Sequence, residues 1–442
     1  MIKVIERNEY LKQLIDYKDS NLIKAIVGMR RVGKSFLLNN IFYFYLINNG
    51  IDKDNIIRFS FFNSLTELGN KCYNKENKVK SSVFNKYLQT RINQANKKEK
   101  IYIFLDEIQE LENFYQVLEY LAGNPNYSVY VTGSNSNLLT NNVLKQFRGR
   151  AHTIHVYPLS YQEWVSIKPD PINNQEKYLN EYMSYGGLPE LINIENEENK
   201  KAYLKNVLQS TYLCDLFEKN NLSEQKREQC LSVLKYLAST AGQDFRYTKF
   251  INSYQSITNK KISRSALEKY LSYFTDAFLI KEISQYDVRG KKALNNVIKF
   301  YFEDLGLMHA LNEFKFANSG ATFENLVFNT LCFEYDEISF GKFNRFENGI
   351  NQNYEVDFII SNIGYFQVCW NVHSIKKLEQ ETKVFNYINT NLSKVLITRY
   401  VENDLTIIND EKYTWTNIFT FLNFKKINSK ENKNNFTNFF KK

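Results

Sequence analysis

The sequence predicts an α/β fold: a mostly parallel sheet with helices on both faces, then a helical segment with a strand pair, then a second α/β module. Three observations predict it. Residues 28–35 read GMRRVGKS and fit the phosphate-loop pattern G-x-x-x-x-G-K-[ST]. Through the first 165 residues, apolar runs of strand length alternate with helical patterns, which means parallel strands joined by crossover helices. The run IYIFLDEIQE (101–110) closes a buried-strand pattern with two acids, and charge buried there without compensation is costly.

The elements follow in order. IERNEYLKQLIDY (5–17) is a short amphipathic helix carrying Arg7 and Glu9, and LIKAIV (22–27) is an apolar, β-branched strand. The loop comes next, and SFLLNNIFYFYLI (35–47) has the apolar length of a buried helix, without Gly or Pro. A strand turning into a helix start aims backbone N–H groups and the helix dipole at an anion. Gly28 and Gly33 let the backbone curl round a phosphate without a Cβ in the way. The candidate nucleotide contacts are therefore Gly28, Arg30, Arg31, Val32, Gly33, Lys34, Ser35 and Phe36. Lys34 suits the β- and γ-phosphates of ATP, and the Ser35 hydroxyl suits Mg2+. After IIRFSFF (56–62) and a helix at 81–94 comes the acidic strand. Asp106 pairs with Ser35 as a candidate Mg2+ ligand, and Glu107 is the candidate general base for an attacking water. SVYVTGSN (128–135) ends in small polar residues. Ser134, then Asn135, is the candidate sensor of the γ-phosphate; a side-chain turn is the competing reading. Arg148 and Arg150 precede a further strand, and one of them is a candidate to stabilise γ-phosphate charge, in cis or across a subunit contact. A pair of solvated arginines is the other reading.

The bulk numbers bound the rest. A chain of 442 residues predicts two or three domains, and 43% hydrophobic with 15% aromatic residues is ample for real cores. The charged N-terminus does not read as a signal peptide, and no apolar run is long enough to cross a bilayer. Five scattered cysteines without a C-x-x-C argue against a disulfide framework or zinc site and fit a reducing cytoplasm. His152 and His155 lie on an apparent strand with no further ligands nearby, so a metal there is not expected. The formal net charge of +9 is concentrated: residues 226–299 hold 14 Lys and Arg against 6 Asp and Glu, and 425–442 hold 6 Lys against one Glu.

Beyond residue 165 the expected boundaries are a helical connection at 166–222, a winged helix at 223–303, an α/β domain at 304–424 and a loose basic tail at 425–442. The winged helix rests on three helical patterns followed by strands FLIKEIS and VIKFYF around the loop QYDVRGKKALNN. In its third helix Leu267, Tyr270, Leu271 and Phe274 share the apolar face, with Arg264 and Lys269 on the other. Arg264, Lys269, Arg289, Lys291 and Lys292 are candidate contacts to duplex DNA; packing against a neighbouring domain is the alternative. The α/β domain reads as helix 321–335, strands EISFGKF, YEVDFII and YFQVCW, a helix, and strand KVLITRY.

GMRRVGKS, FLDEIQ, VTGSNSNLL, RGR with YPLSYQEW, GGLPE, KFYFEDLGL, TFENLV and EVDFII together carry a resemblance. The chain resembles prokaryotic proteins that join an AAA-type, archaeal ATPase-like P-loop domain (1–165 here), a winged helix, and a C-terminal domain related to restriction endonucleases. The resemblance implies a five-stranded sheet with the acidic strand at its centre, ATP and Mg2+ as ligands, and Arg7 near the adenine. A restriction-type nuclease needs a helix acid, a strand acid, and an acid-x-Lys pair one strand later. Glu324 and Asp357 fit the first two, but Gln367 and Cys369 stand where the acid and the lysine belong. This implies an inactive nuclease fold unless Lys376 or Lys377 substitutes. The expected function is Mg2+-dependent ATP hydrolysis coupled to the winged helix and the inactive nuclease-like domain, on DNA. The alternatives are a slow nucleotide-state switch or scaffold in signalling or defence, and a working Mg2+-dependent nuclease. Homo-oligomerisation stays open, and no membrane partner is expected.

Overall fold

The computed structural model describes residues 4–62, 67–69, 72–134, 149–286, 297–315, 319–347, 349–400 and 413–423, with residues 63, 287 and 292–296 described by backbone alone. It has two compact units, one of Met1–Pro158 with Asp276–Phe278, the other of Leu159–Thr275 with Leu279–Lys442.

The first unit begins with α1 (Asn8–Asp16) and β1 (Ile23–Val27). Helix α2 (Lys34–Phe36) runs without a break through a π-helical turn (Leu37–Phe42) into α3 (Tyr43–Asn48). Then come β2 (Ile56–Ser60), α4 (Ser81–Gln94), β3 (Ile101–Asp106), α5 (Phe114–Ala122), β4 (Tyr127–Gly133) and β5 (Ala151–His155). The strands form one parallel sheet in the order β2-β3-β4-β1-β5. β1 and β3 are buried along their whole length because helices cover both faces. On one face Phe42 packs on Phe104 and Tyr130, with ring centroids 5.6 and 4.8 Å away; on the other Phe84 packs on Phe59 at 5.1 Å. The centre of the sheet is β4, not the acidic strand. β3 lies between β2 and β4, so β4 separates it from β1, and all three point their C-terminal ends the same way.

At the other end of β1, Lys24 is fully buried, donates to Ser128 Oγ at 2.9 Å and Ser20 O at 3.2 Å, and lies 4.7 Å from the Tyr130 ring centre. Burial, with Lys100 nearby, lowers its pKa to about 7.

In the second unit, α6 (Tyr161–Val165), α7 (Gln175–Tyr185), α8 (Glu197–Val207) and α9 (Cys214–Lys219) form the helical connection. Helices α10 (Glu224–Ser239), α11 (Tyr247–Thr258) and α12 (Arg264–Asp276) follow, then an antiparallel pair, β6 (Ile280–Asp287) and β7 (Lys292–Phe302). As the pattern predicts, α12 buries Leu267, Tyr270, Leu271 and Phe274. Then come α13 (Leu305–Leu311), α14 (Ser319–Glu334), β8 (Ser339–Glu347), β9 (Ile350–Ile360), β10 (Gly364–Cys369), α15 (Ile375–Thr382), β11 (Ser393–Thr398), β12 (Thr414–Asn417) and α16 (Ile418–Leu422).

The strand pair β6–β7 does not stand apart. β6 pairs in parallel with β8 at Gln285–Phe340 and Tyr286–Gly341, giving one seven-stranded sheet, β12-β11-β10-β9-β8-β6-β7. The pairing covers backbone groups that a free edge of β6 would expose. Segments 166–222, 223–303 and 304–424, apart from Asp276–Phe278, accordingly share one compact unit.

GGLPE and EDLGL meet inside this unit. Asp304, 1% exposed, accepts the N–H of Gly187 at 2.8 Å and of Leu307 at 2.9 Å. A Cβ on Gly187 would sit 2.3 Å from Leu159 O, and one on Gly306 2.0 Å from Tyr185 O. These motif residues are therefore required by packing.

Asp304→Ala leaves two buried N–H groups without an acceptor, at about 1–3 kcal/mol each, and lowers the denaturation midpoint of the second unit. Lys24 binds a proton less readily folded than unfolded, so stability rises with pH between about 7 and 10.5, the ordinary lysine value. That gain is at most about 1.4 kcal/mol per pH unit. Chemical denaturation at pH 7 and 9 should show it in the parent and not in Lys24→Met.

Candidate nucleotide site

The loop after β1 is shaped by three backbone positions with positive φ: Gly28 at 138°, Arg31 at 62° and Gly33 at 94°. A Cβ on Gly28 would lie 2.1 Å from Val156 O, so only glycine lets the loop pass that close. Gly33 stands at the N-terminus of α2, where the first helical N–H groups have no intrahelical partner. Arg7, expected near an adenine, gives its guanidinium to Val32 O at 3.2 Å and Tyr157 O at 2.8 Å and stacks over Tyr10. It braces the backbone of the loop. Lys34, 4% exposed, donates to Gly28 O at 3.0 Å and Met29 O at 2.7 Å.

The register of the sheet brings the acidic strand to this loop. Ser60 aligns with Asp106 on β2–β3, and Leu105 aligns with Val131 on β3–β4, so Thr132 comes level with Asp106. The Asp106 carboxylate receives Ser35 Oγ at 2.8 Å, Thr132 Oγ at 2.5 Å and Ser60 Oγ at 3.4 Å. Three hydroxyls from three elements therefore meet one buried carboxylate. Ser60 and Thr132 escaped the sequence reading, although each is a hydroxyl at the end of an apolar strand. The donor set is all oxygen, which suits a hard cation such as Mg2+, bound by few protein groups and by substrate phosphates. Among the described residues no three His, Cys, Asp or Glu side chains converge as a metal cluster.

Glu107 has a left-handed backbone, φ 57°, and its N–H goes to Thr132 Oγ at 2.9 Å. Its carboxylate accepts a hydrogen bond from Gln109 Nε2. Ser134, 5% exposed, receives Arg30 Nε at 3.3 Å. Arg31, Phe36 and Arg150 are exposed. Asn135 and Arg148 lie outside the described residues.

The second candidate cluster lies in the sheet of the other unit. Glu324 of α14 and Asp357 of β9 come together, but the lysine among them is Lys299 of β7, not Lys376 or Lys377. Lys299, 3% exposed, stands 2.6 Å from Glu355 and 3.5 Å from Glu324, and Glu355 also meets Lys342 at 2.8 Å. Burial alone would lower the Lys299 pKa, but Glu324, Glu355 and Asp357 hold it well up. Burial and the Glu324 charge push Asp357 strongly up. Gln367 is buried one strand over, beside Val368, whose N–H reaches Asp357 at 2.7 Å. Lys377 is paired with Glu381, and Cys369 is buried. Of the candidate DNA contacts, Arg264 is paired with Glu268 at 2.8 Å and Lys269 is exposed. Arg289 and Lys291 lie outside the described residues, as does the tail, and Lys292 is described by backbone alone.

A protein of Haemophilus influenzae described as uncharacterised is 31% identical over 408 residues, spanning 90% of this chain and 94% of that protein. The chain belongs to the family of this Haemophilus protein. An uncharacterised protein of Methanocaldococcus jannaschii is 29% identical over 398 residues, 87% of this chain and 81% of its own. Residues 20–165 match the AAA domain family, and 176–318 match a domain of unknown function. The first unit is thus a P-loop domain of the AAA ATPase type. The Walker-type ATPase of Pyrococcus abyssi superposes with a TM-score of 0.49 at 17% identity, over 70% of this chain and 96% of that one. Among the described residues no helix is long and apolar enough to cross a membrane.

Replacing Lys299 by Met removes the buried counter-charge of Glu324 and Asp357 and leaves Glu355 with Lys342. A loss of about 3–5 kcal/mol in the stability of the second unit is expected, read by chemical denaturation.

Proposed function

We propose that the protein binds ATP at residues 28–36 and hydrolyses it, with its nucleotide state coupled to the helical and C-terminal parts of the chain. The observation that carries this is Ser35 of the loop meeting Asp106 of the acidic strand at 2.8 Å. That contact joins two motifs 71 residues apart at one carboxylate. In this reading the loop N–H groups hold the phosphates. Lys34 exchanges its bonds to the Gly28 and Met29 carbonyls for phosphate oxygens. Ser35 and Asp106 would hold Mg2+, which would supply positive charge to neutralise the phosphates. Glu107 takes a proton from the attacking water. Ser134, oriented by Arg30, senses the γ-phosphate, with Asn135 as the second candidate. Arg148 and Arg150 are the candidate arginine fingers, within one subunit or between copies.

Three helices followed by an antiparallel pair support a winged helix at 223–303, and duplex DNA is its proposed partner, through Arg264, Lys269, Arg289, Lys291 and Lys292. The helix–strand order from Ser319 to Thr398 supports a restriction-endonuclease-like domain. Gln367 and Cys369, standing where the acid and the lysine of such a site belong, support its being inactive. Free cysteines at all five positions support a reducing compartment, the cytoplasm.

ATP binding and phosphate release test the proposal. Lys34→Ala should lose nucleotide binding, and Glu107→Gln should keep binding while turnover falls by about 100-fold or more. Hydrolysis by Glu107→Gln at the parent rate would contradict the assignment. Stimulation by duplex DNA that fades steeply with salt supports phosphate contacts and separates a DNA-coupled ATPase from a switch.

A further inference from the structure

We infer that Arg30, inside the phosphate loop itself, is a catalytic arginine that stabilises charge on the γ-phosphate of ATP from within the same chain. The inference rests on the reading of residues 28–36 as an ATP site.

The loop carries two adjacent arginines that its backbone sends different ways. Arg31 takes the left-handed conformation, φ 62°, and is exposed. Met29 and Val32 are fully buried and anchor the loop on either side of the pair. Arg30 is half-buried, and its Nε donates to Ser134 Oγ at 3.3 Å. Ser134, itself buried, follows directly on β4, the central strand. Two residues earlier, Thr132 Oγ binds Asp106 and receives the N–H of Glu107. The Arg30 side chain therefore reaches the C-terminal rim of the sheet, where Ser35 of the helix start meets Asp106.

Arg150 stands at the opposite rim. It precedes β5, whose first residue, Ala151, aligns with Ile23 at the start of β1, and Arg150 O accepts the N–H of Ile23 at 2.8 Å. The loop leaves the other end of β1, and a strand rising about 3.3 Å per residue sets Val27 about 13 Å from Ile23. That is longer than an arginine side chain, so Arg150 is out of range of the loop within its own chain. Arg30 is the arginine that the loop itself delivers.

In hydrolysis the water oxygen bonds to the γ-phosphorus. The bond from that phosphorus to the β–γ bridging oxygen breaks, and its electron pair stays on ADP. One water proton remains on the phosphate, and the other leaves through Glu107 to solvent. Negative charge spreads meanwhile over the γ-phosphoryl oxygens. A guanidinium suits that charge: it stays protonated at any working pH, and its planar fork offers five N–H donors, of which the bond to Ser134 uses one.

The test is ATP hydrolysis and ADP binding by the full chain, for the parent, Arg30→Ala, Arg30→Lys, Ser134→Ala and the double variant Arg30→Ala with Ser134→Ala. Arg30→Ala should lower kcat about 100-fold or more, while affinity for ADP, which lacks the γ-phosphate, stays within about threefold. Arg30→Lys keeps the charge without the fork and should stay well below the parent rate. Turnover per chain should not change with protein concentration, because the arginine comes from the same chain. Parent kcat in Arg30→Ala would overturn the inference alone. A fall in kcat matched by an equal loss of ADP affinity would also overturn it, making Arg30 a brace for the loop. So would equal rates in Arg30→Ala, Ser134→Ala and the double variant, since Arg30 would then act only by orienting Ser134. Absence of hydrolysis by the parent would overturn the ATP-site reading beneath it as well.

Discussion

The first unit is organised around one carboxylate that cannot be left bare. Asp106 is 7% exposed at the end of an apolar strand, and three hydroxyls satisfy it. Each comes from a different place: the end of β2, the end of β4, and the start of the helix after the loop. They meet because parallel strands in register end level with one another, and because β4 lies between the loop strand and the acidic strand. The loop is bound to that level as well, by Arg7 on Val32 and by the close pass of Gly28 over Val156. The same register therefore stabilises the fold and assembles the site.

Several motif residues turn out to serve packing rather than chemistry. The pair Gly186–Gly187 and the acid Asp304 form a lock in which the carboxylate accepts one N–H from each segment. Glycine is required there because the Asp304 carboxylate beside Gly186 and the Leu159 carbonyl beside Gly187 leave no room for a Cβ. Short motifs rich in glycine and acid resemble ligand sites in sequence. Only the surrounding contacts tell a ligand site from a buried turn.

The carboxylates of the second unit show how a charged cluster is completed by a residue far away in the chain. Glu324 and Asp357 lie together, and Lys299 reaches them from β7, because the strand pair joins the sheet through β6 and β8. An ammonium held by Glu355 at 2.6 Å is a built-in counter-ion. The cluster is balanced within the chain, a charged network that ties β7, β8 and β9 to α14.

The sequence by itself determined what short-range order governs. An eight-residue pattern between an apolar strand and a helix specifies the loop, the helix at Ser81–Gln94 shows in its periodicity, and the buried face of α12 follows from helical spacing. Glu107 and Asp106 were legible because two acids closing an apolar run are chemically conspicuous. Ser60, Thr132, Gln109 and Lys299 were not, because each is an ordinary polar residue until a partner arrives from another element. The tertiary structure alone decided that β4 is the central strand, that the strand pair joins the C-terminal sheet, and that Arg7 braces the loop. The physical reason is the same throughout: local propensity and periodicity are properties of neighbouring residues, whereas register, burial and charge pairing depend on which distant segments come to lie side by side.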